Sequence, residues 1–368
     1  MKGVTRVEAI LIVIVIILAV IGGYGWSLAL QKPKVVTSPT PKPTGVVKKP
    51  VNITIVDSAG RYVTVPWPLK RIVALTTDSL EVLIALHAED LVVGVTAYVK
   101  GKPELTAHLG NVTYVGTCFK PNIEAIVSVK PQVVITYVRW PKPEVLDEKL
   151  KPFGIKVIRL DFYKISTLFT EVKLLGLLIN HTKEADEFVK FWNDILTSIR
   201  SKVLKLKPNQ MVRVYFEGYH DYVANGPGSG GDDDLKMAGG VNIFGDSPIP
   251  YPKVSSEAVI EKNPDVIIKA VSTAKFKPYG AKNASILKEI RDSIMSRPGW
   301  SAIKAVKEGR VYIISGALTA GPRAVIAIAY IAKWLYPDLF KDLHPEEILK
   351  TYFEKFLRVP CSGIWVYP

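Results

Sequence analysis

The chain carries one pattern twice. Glu124-Ala-Ile-Val-Ser-Val-Lys-Pro131-Gln-Val-Val-Ile135 recurs as Glu257-Ala-Val-Ile-Glu-Lys-Asn-Pro264-Asp-Val-Ile-Ile268, with Glu and Pro seven residues apart in both. Each copy reads as a short helix opened by a carboxylate at the positive end of its dipole, stopped near proline and followed by an apolar strand. Strands this uniformly apolar are buried on both faces, the condition of a parallel sheet covered by helices. Two copies at matching places in the chain predict a duplicated α/β lobe.

The flanking segments agree. Short β-type runs at 52–57 and 61–65 around Ala59-Gly60 predict an opening hairpin. Strand-like runs at 71–75, 91–95, 132–136 and 155–159 then alternate with helix-like runs at 79–87, 122–129, 144–151 and 167–179. A second series runs through 211–216, 265–269 and 310–314. Between the two, residues 182–204 place Phe188, Trp192, Ile195, Ile199 and Val203 at spacings of three and four, the mark of one long amphipathic helix. At 1.5 Å per residue it would span roughly 35 Å, enough to act as a strut between lobes. The expected fold class is α/β: two Rossmann-like lobes of mainly parallel sheets flanked by helices, joined by one long rigid helix, with a ligand cleft between them.

The N-terminus has a different character. Ala9 to Leu30 holds no charged residue and follows Lys2 and Arg6, which predicts a membrane anchor with everything after it outside the cell. The opening Lys2-Gly-Val-Thr-Arg-Val-Glu8 resembles an archaeal class III, prepilin-like signal, and that resemblance implies cleavage after Gly3; an uncleaved signal-anchor is the alternative. Residues 31–50 carry five prolines among Thr, Ser and Lys and read as a semi-rigid stalk. The expected organisation is therefore an anchor over 1–30, the stalk over 31–50, a first lobe over 51–180, the bridging helix over 181–206 and a second lobe over 207–368. Sequons at Asn52, Asn111, Asn180 and Asn283 suit an outer surface.

The formal charge of +14 arises from 48 basic and 34 acidic residues, and could suggest nucleic acid. Seven of those basic residues and one Glu fall in the first fifty positions, and the remainder form no concentrated basic helix, so nucleic-acid binding is not expected. Cys118 and Cys361 have no partner at metal-site spacing; a disulfide between them and two buried thiols both stay open. There is no His-Glu-x-x-His, Gly-x-Ser-x-Gly or Walker loop, so the chain is not read as an enzyme.

Seven passages carry a family resemblance, in order along the chain: Asp57-Ser-Ala-Gly-Arg-Tyr-Val-Thr-Val-Pro66, Lys70-Arg-Ile-Val-Ala-Leu75, Val115-Gly116 with Pro121-Asn-Ile-Glu124, Ala238-Gly-Gly-Val-Asn-Ile243, Val254-Ser-Ser-Glu257, Asn263-Pro-Asp-Val-Ile-Ile268, and Arg297-Pro-Gly-Trp300 leading to Gly309-Arg-Val-Tyr312. Together they resemble the substrate-binding proteins of iron-siderophore, haem and cobalamin ABC importers, class III periplasmic-type binding proteins. The resemblance implies a monomeric body that hands a metal chelate or corrinoid to a permease dimer and its ATPase. It also implies that Glu124 and Glu257 dock on the permease. No resident cofactor is implied, since iron or cobalt would arrive inside the ligand.

In open α/β sheets ligands sit beyond the carboxyl ends of the strands. That rule gives Thr76, Thr77 and Asp78, then Tyr98, Phe119, Lys120, Tyr137, Arg139, Trp140, Phe162 and Tyr163 in the first lobe. In the second it gives Tyr219, His220, Tyr222, the loop Asn225 to Gly231, Tyr251 and Arg323. From these the ligand-binding set is taken as Tyr98, Phe119, Lys120, Arg139, Trp140, Tyr163, Tyr219, His220, Tyr222, Tyr251 and Arg323. Aromatic rings with arginine suit a large flat or anionic chelate, whereas a bare metal ion would need converging His and carboxylate ligands. Asp232-Asp233-Asp234 reads as a helix start, with calcium as the sharper alternative. Two other functions remain as alternatives: binding of an oxyanion such as molybdate or tungstate, and a pilin-like adhesive surface role.

Overall fold

The computed structural model describes residues 51–368. The expected anchor, the stalk and the Gly3 cleavage site lie outside these residues. Among the described residues no helix is long and apolar enough to cross a membrane. Strands β1 (Val51–Val56) and β2 (Tyr62–Trp67) pair antiparallel from Val51 opposite Trp67 to Val56 opposite Tyr62. Their turn is set by Asp57, whose Oδ1 accepts from the amides of Ala59 and Arg61 at 3.0 Å each, and by Gly60 at φ 75°, a left-handed position.

The first lobe is a five-stranded parallel sheet in the order β5-β4-β3-β6-β7, built from β3 (Ile72–Ala74), β4 (Val92–Val95), β5 (Thr113–Tyr114), β6 (Val133–Thr136) and β7 (Lys156–Arg159). The central strands β3 and β6 are buried at every residue, as their uninterrupted apolar runs require. Helix α1 (Thr77–Ala85) follows β3, and its N-cap Thr76 accepts the Ser79 amide at 3.1 Å. The second sheet runs β12-β11-β10-β8-β9, with β8 (Arg213–Glu217), β9 (Val241–Asn242), β10 (Val266–Val271), β11 (Val311–Ser315) and β12 (Val366–Tyr367). Only β12 is antiparallel there.

Duplication extends to a shared four-strand core. The first strand of each lobe, β3 or β8, pairs on one side with the strand that follows the repeated Glu helix, β6 or β10. On its other side it pairs with the next strand in the chain, β4 or β9. The Glu helices α2 (Ile123–Ser128) and α6 (Ser256–Lys262) are capped alike, Asn122 Oδ1 accepting from Ala125 N–H at 3.0 Å and Ser255 Oγ from Ala258 N–H at 3.1 Å. The lobes differ at their edges, with β5 added in the first and β12 in the second. Edge strands of two residues carry too little pattern to be read from sequence.

Helix α3 (Ile165–Ile179) ends the first lobe and packs against α4 (Thr182–Val203), whose 22 residues span about 33 Å. Helix α4 also packs against α8 (Ala324–Leu335) of the second lobe; α5 (Gly230–Met237) and α7 (Ser285–Met295) are the other longer helices of that lobe. Phe188 and Trp192 of α4 meet Tyr352 and Phe356 with ring centroids 5.1 to 6.3 Å apart. One apolar cluster runs from Ile72 and Leu83 through Trp192 to Ile268 and Val325, so both lobes share a core. The helix expected over 144–151 forms only at Asp147–Leu150, after a turn over 143–146, and tightens into a 3-10 turn at Lys151–Phe153.

Cys118 is a buried free thiol in the first lobe and Cys361 a free thiol packed against the shared cluster. The disulfide left open by the sequence is therefore absent; each thiol packs in its own cluster.

A shared core predicts that the lobes unfold together: urea titration followed by circular dichroism and by tryptophan fluorescence should give one coincident transition. Trp192→Ala should cost about 3 to 5 kcal/mol in that titration and keep the single transition. Two separated transitions in the wild-type chain would mean that the lobes are independent.

Candidate functional site

The strand order in each lobe reverses at its first strand, between β3 and β6 and between β8 and β10, and the carboxyl ends of these strands open a crevice. The two crevices face one another. Between them lie two adjoining cavities of about 650 and 580 Å³, which share Arg139, Tyr163, Tyr219 and Ala320 as walls. Each volume falls within the roughly 300 to 1,000 Å³ range of small-molecule sites.

The smaller cavity is built around Asp78, in the first turn of α1, and Tyr137, just past β6. Tyr137 donates its hydroxyl to Asp78 Oδ2 at 2.6 Å. Burial raises the Asp78 carboxyl to about 6; the Tyr137 bond opposes this, the charge of Glu81 adds to it, and Lys102 and Arg323 oppose it. Across the cleft Gly321 sits at φ 73°, and a β-carbon there would lie 2.8 Å from Asp78 Oδ1. Glycine is required on both counts. A β-carbon at Gly316 would likewise strike the Tyr219 ring at 2.5 Å, so that ring lies close against the second-lobe backbone.

Arg323 is at the back of this cavity and only 3% exposed. Its Nε donates to Glu81 Oε1 at 2.6 Å, and its Nη atoms reach Glu104 Oε1 at 3.3 and 3.4 Å. Tyr352 donates to the same Glu81 oxygen at 2.5 Å. Burial would lower the guanidinium, but the two carboxylates outweigh it and hold Arg323 above its usual range. Arg323 lies 5.1 Å from the Phe353 ring centroid and 5.4 Å from that of Trp365.

The larger cavity is walled by Tyr219, His220 and Tyr251 of the second lobe, by Arg139 and Tyr163 of the first, and by the loop and helix from Asn225 to Asp234. Behind it Glu217 ends β8, held by Arg297 at 2.7 and 3.0 Å and by Lys269 at 2.8 Å. Burial would raise this carboxyl, but Arg297 and Lys269 prevail and keep it below its usual range. The Asp triplet holds no converged cation site: Asp232 is engaged by Lys236 at 2.5 Å and by Asn242 Nδ2 at 2.7 Å.

Of the residues expected at the ligand site, Arg139, Tyr163, Tyr219, His220 and Tyr251 line the larger cavity, and Phe119, Trp140 and Arg323 line the smaller. Tyr98 lines neither, but its ring meets Phe119 edge-on at 6.5 Å; Phe119 in turn is 6.0 Å from Trp140. Two expectations, for Tyr222 and Lys120, are corrected, and Arg323 has a structural role beside its place at the cavity. Tyr222 turns inward at φ 59°, its amide on Glu217 and its ring 4.3 Å from the Arg297 guanidinium and 6.0 Å from Trp300, because the buried Glu217 needs donors. Lys120 is exposed in the turn closed on Thr117 and borders neither cavity. Arg323 reaches the cavity but is occupied by Glu81 and Glu104, so its role is first to join the lobes. Glu81 and Glu104 are not among the expected residues, and Asp234 is expected only as part of a helix start; a lone Glu inside Leu80-Glu-Val-Leu-Ile84 is the available signal for Glu81.

Breaking a buried ion pair leaves uncompensated charge, so Arg323→Ala should lose about 3 to 5 kcal/mol of stability. Trp140, 45% exposed, should tolerate Ala within about 0.5 kcal/mol. Equal unfolding midpoints for the two variants would contradict this. Because the raised Asp78 carboxyl binds its proton more tightly in the folded chain, it contributes stability that falls as pH rises from the ordinary Asp range through about 6. Asp78→Asn should flatten the melting-temperature profile across that window; an unchanged profile would refute it.

The sequence profile of the periplasmic binding protein family matches residues 72–318. The chain is 27% identical over 296 residues to the uncharacterised ABC transporter substrate-binding lipoprotein YvrC of Bacillus subtilis, covering 79% of this chain and 87% of that one. It is 24% identical to the molybdate-binding protein MolA of Haemophilus influenzae, covering 83% and 90%, and 26% identical to a vitamin B12-binding protein of Vibrio cholerae, covering 55% and 71%. Among solved structures it resembles the TroA-like periplasmic binding protein FepB of Veillonella parvula, with a TM-score of 0.73, 25% identity and coverage of 86% and 99%. With the repeated lobes and the facing crevices, these matches show that the chain belongs to the periplasmic binding protein family, the non-enzymatic substrate-binding components of ABC transporters.

Proposed function

We propose that this chain captures a large organic ligand, an iron chelate or a corrinoid, outside the cell and delivers it to an ABC importer. The observation that carries this reading is the pair of adjoining cavities walled by aromatic rings from both lobes: Phe119 at 61% exposure, Trp140 at 45%, Tyr219 at 52% and Tyr251 at 58%. Exposed rings at a concave site carry a desolvation gain that only an apolar surface can realise. Iron or cobalt would enter within the ligand, so the chain needs no resident cofactor. An oxyanion is the second reading, favoured by the likeness to the molybdate-binding protein. Either cavity far exceeds a tetrahedral oxyanion, which favours the first.

In this reading the apolar run at 9–30 anchors the chain on the outer face of the membrane, the stalk at 31–50 spaces it, and the body works as a monomer. Glu124 and Glu257 support docking to the permease: each is exposed, each is the second residue of a capped helix, and neither has an ion-pair or hydrogen-bond partner among the described residues. Two equivalent carboxylates match a two-fold permease dimer presenting arginines, a pairing that sets register more than affinity. The double substitution Glu124→Gln with Glu257→Gln should leave ligand affinity unchanged and abolish ligand-stimulated ATP hydrolysis by the transporter in liposomes. Full stimulation by that variant would remove the docking role.

A further inference from the structure

The two lobes repeat more than a helix and a glutamate. Lys120 stands four positions before Glu124 and Lys253 four positions before Glu257, and each copy is led by an exposed ring of the cleft, Phe119 in the first and Tyr251 in the second. The residues between lysine and glutamate differ, Pro-Asn-Ile against Val-Ser-Ser, so what recurs is charge and position. Both lysines are exposed, and neither side chain has an ion-pair or hydrogen-bond partner among the described residues.

Opposite charges four positions apart close on one another when one helix carries both. Lys190 and Asp194 in α4 do so at 2.5 Å, as do Lys288 and Asp292 in α7. In the repeated passages the N-cap prevents it. Asn122 (φ −94°, ψ 98°) and Ser255 (φ −87°, ψ 158°) are extended, so each lysine lies on the chain before the helix and each glutamate inside the first turn. The leading segments are pinned as well, by an antiparallel bridge between Gly116 and Pro121 in the first lobe and between Val223 and Lys253 in the second. A β-carbon at Gly116 would strike the Lys120 carbonyl, and one at Gly226 would meet the Ile249 carbonyl at 2.7 Å. Each lobe therefore holds an open cation and an open anion on a fixed backbone, in the same order along the chain from its cleft ring.

We infer that Lys120 and Lys253 are docking residues, and that the permease dimer offers each of them an acidic side chain beside the arginine that takes the neighbouring glutamate. The inference rests on the importer reading and specifies the partner surface: two charges of opposite sign on each permease subunit, repeated by the two-fold axis. Alternating signs reject a slipped register, in which like charges would meet. Exposed ion pairs are individually weak, which suits a contact that must be released in every transport cycle.

The test is fluorescence energy transfer between the labelled full-length chain and its transporter, co-reconstituted in liposomes of neutral phosphatidylcholine and, separately, in liposomes with phosphatidylglycerol added. Lys120→Glu with Lys253→Glu should weaken the complex at least about tenfold in both lipid mixtures, because each reversal sets like charges against one another. Lys120→Gln with Lys253→Gln should weaken it about threefold. Both variants should melt with the wild-type chain, since the altered side chains are exposed and unpaired. Lys183→Glu in α4 with Lys350→Glu in the helix Pro345–Thr351 makes the same change in net charge elsewhere and should leave the complex intact. An equal loss in that control would reduce the effect to net charge and overturn the inference. Weakening only in the presence of phosphatidylglycerol would assign the lysines to lipid headgroups and overturn it as well. An intact complex in the lysine variants, with a weakened one in Glu124→Gln with Glu257→Gln, would remove the lysines and keep the importer reading; no complex with the wild-type chain would count against both.

Discussion

The fold turns on a buried ion pair that crosses it. Arg323 lies 242 positions from Glu81 in the chain, yet the two meet at 2.6 Å with almost no exposure. Removing these charges from water is expensive, and the cost is met only because the partners are all in place: Glu104 on the other guanidinium edge, Tyr352 on the shared carboxylate oxygen, and the rings of Phe353 and Trp365 close by. The cluster fixes α1 of the first lobe against the turn before α8 of the second. A second tie runs nearby, from Arg358 to Glu89 at 2.6 Å and to the Ile84 carbonyl at 2.8 Å. The first tie is buried beside the shared apolar core and the second is partly exposed, and the cleft opens out from this joined base.

That base sets the chemistry of the cleft above it. Three carboxyl groups end up with three protonation tendencies although their side chains are nearly alike. Glu217 is buried but surrounded by Arg297, Lys269 and the Tyr215 hydroxyl, and stays charged. Asp78 has one donor, Tyr137, against the nearby charge of Glu81, and titrates near 6. Asp234 has burial and a like-charged neighbour and no donor to its Oδ2 among the described residues, and its carboxyl is pushed well above the usual range. Close backbone approaches at Gly321 and Gly316 bring the second lobe against Asp78 and carry the Tyr219 ring, giving the cavity its walls. Together these features line the cleft with buried polar groups and exposed aromatic rings.

Much of this was determined by the sequence through local rules. Apolar runs in β3, β6, β8 and β10 must be buried on both faces, so two parallel sheets follow; the repeated Glu-to-Pro passage gives the helix before β6 and before β10; and the three-and-four spacing from Phe188 to Ile199 gives the long helix. Because ligands collect at the carboxyl ends of such strands, Arg139, Trp140, Tyr163, Tyr219 and Tyr251 could be placed at the cleft from their positions alone. Tertiary structure decided what no local rule carries. It turned Tyr222 inward to serve Glu217, left Lys120 on an outer turn, gave Arg323 to two first-lobe carboxylates, and kept Cys118 and Cys361 apart. It also left Asp234 Oδ2 buried without a hydrogen-bond partner among the described residues. A strand's apolar pattern is a property of neighbouring residues, but the partner of a buried charge is chosen by whatever distant segment packs against it, and that depends on the whole chain having folded.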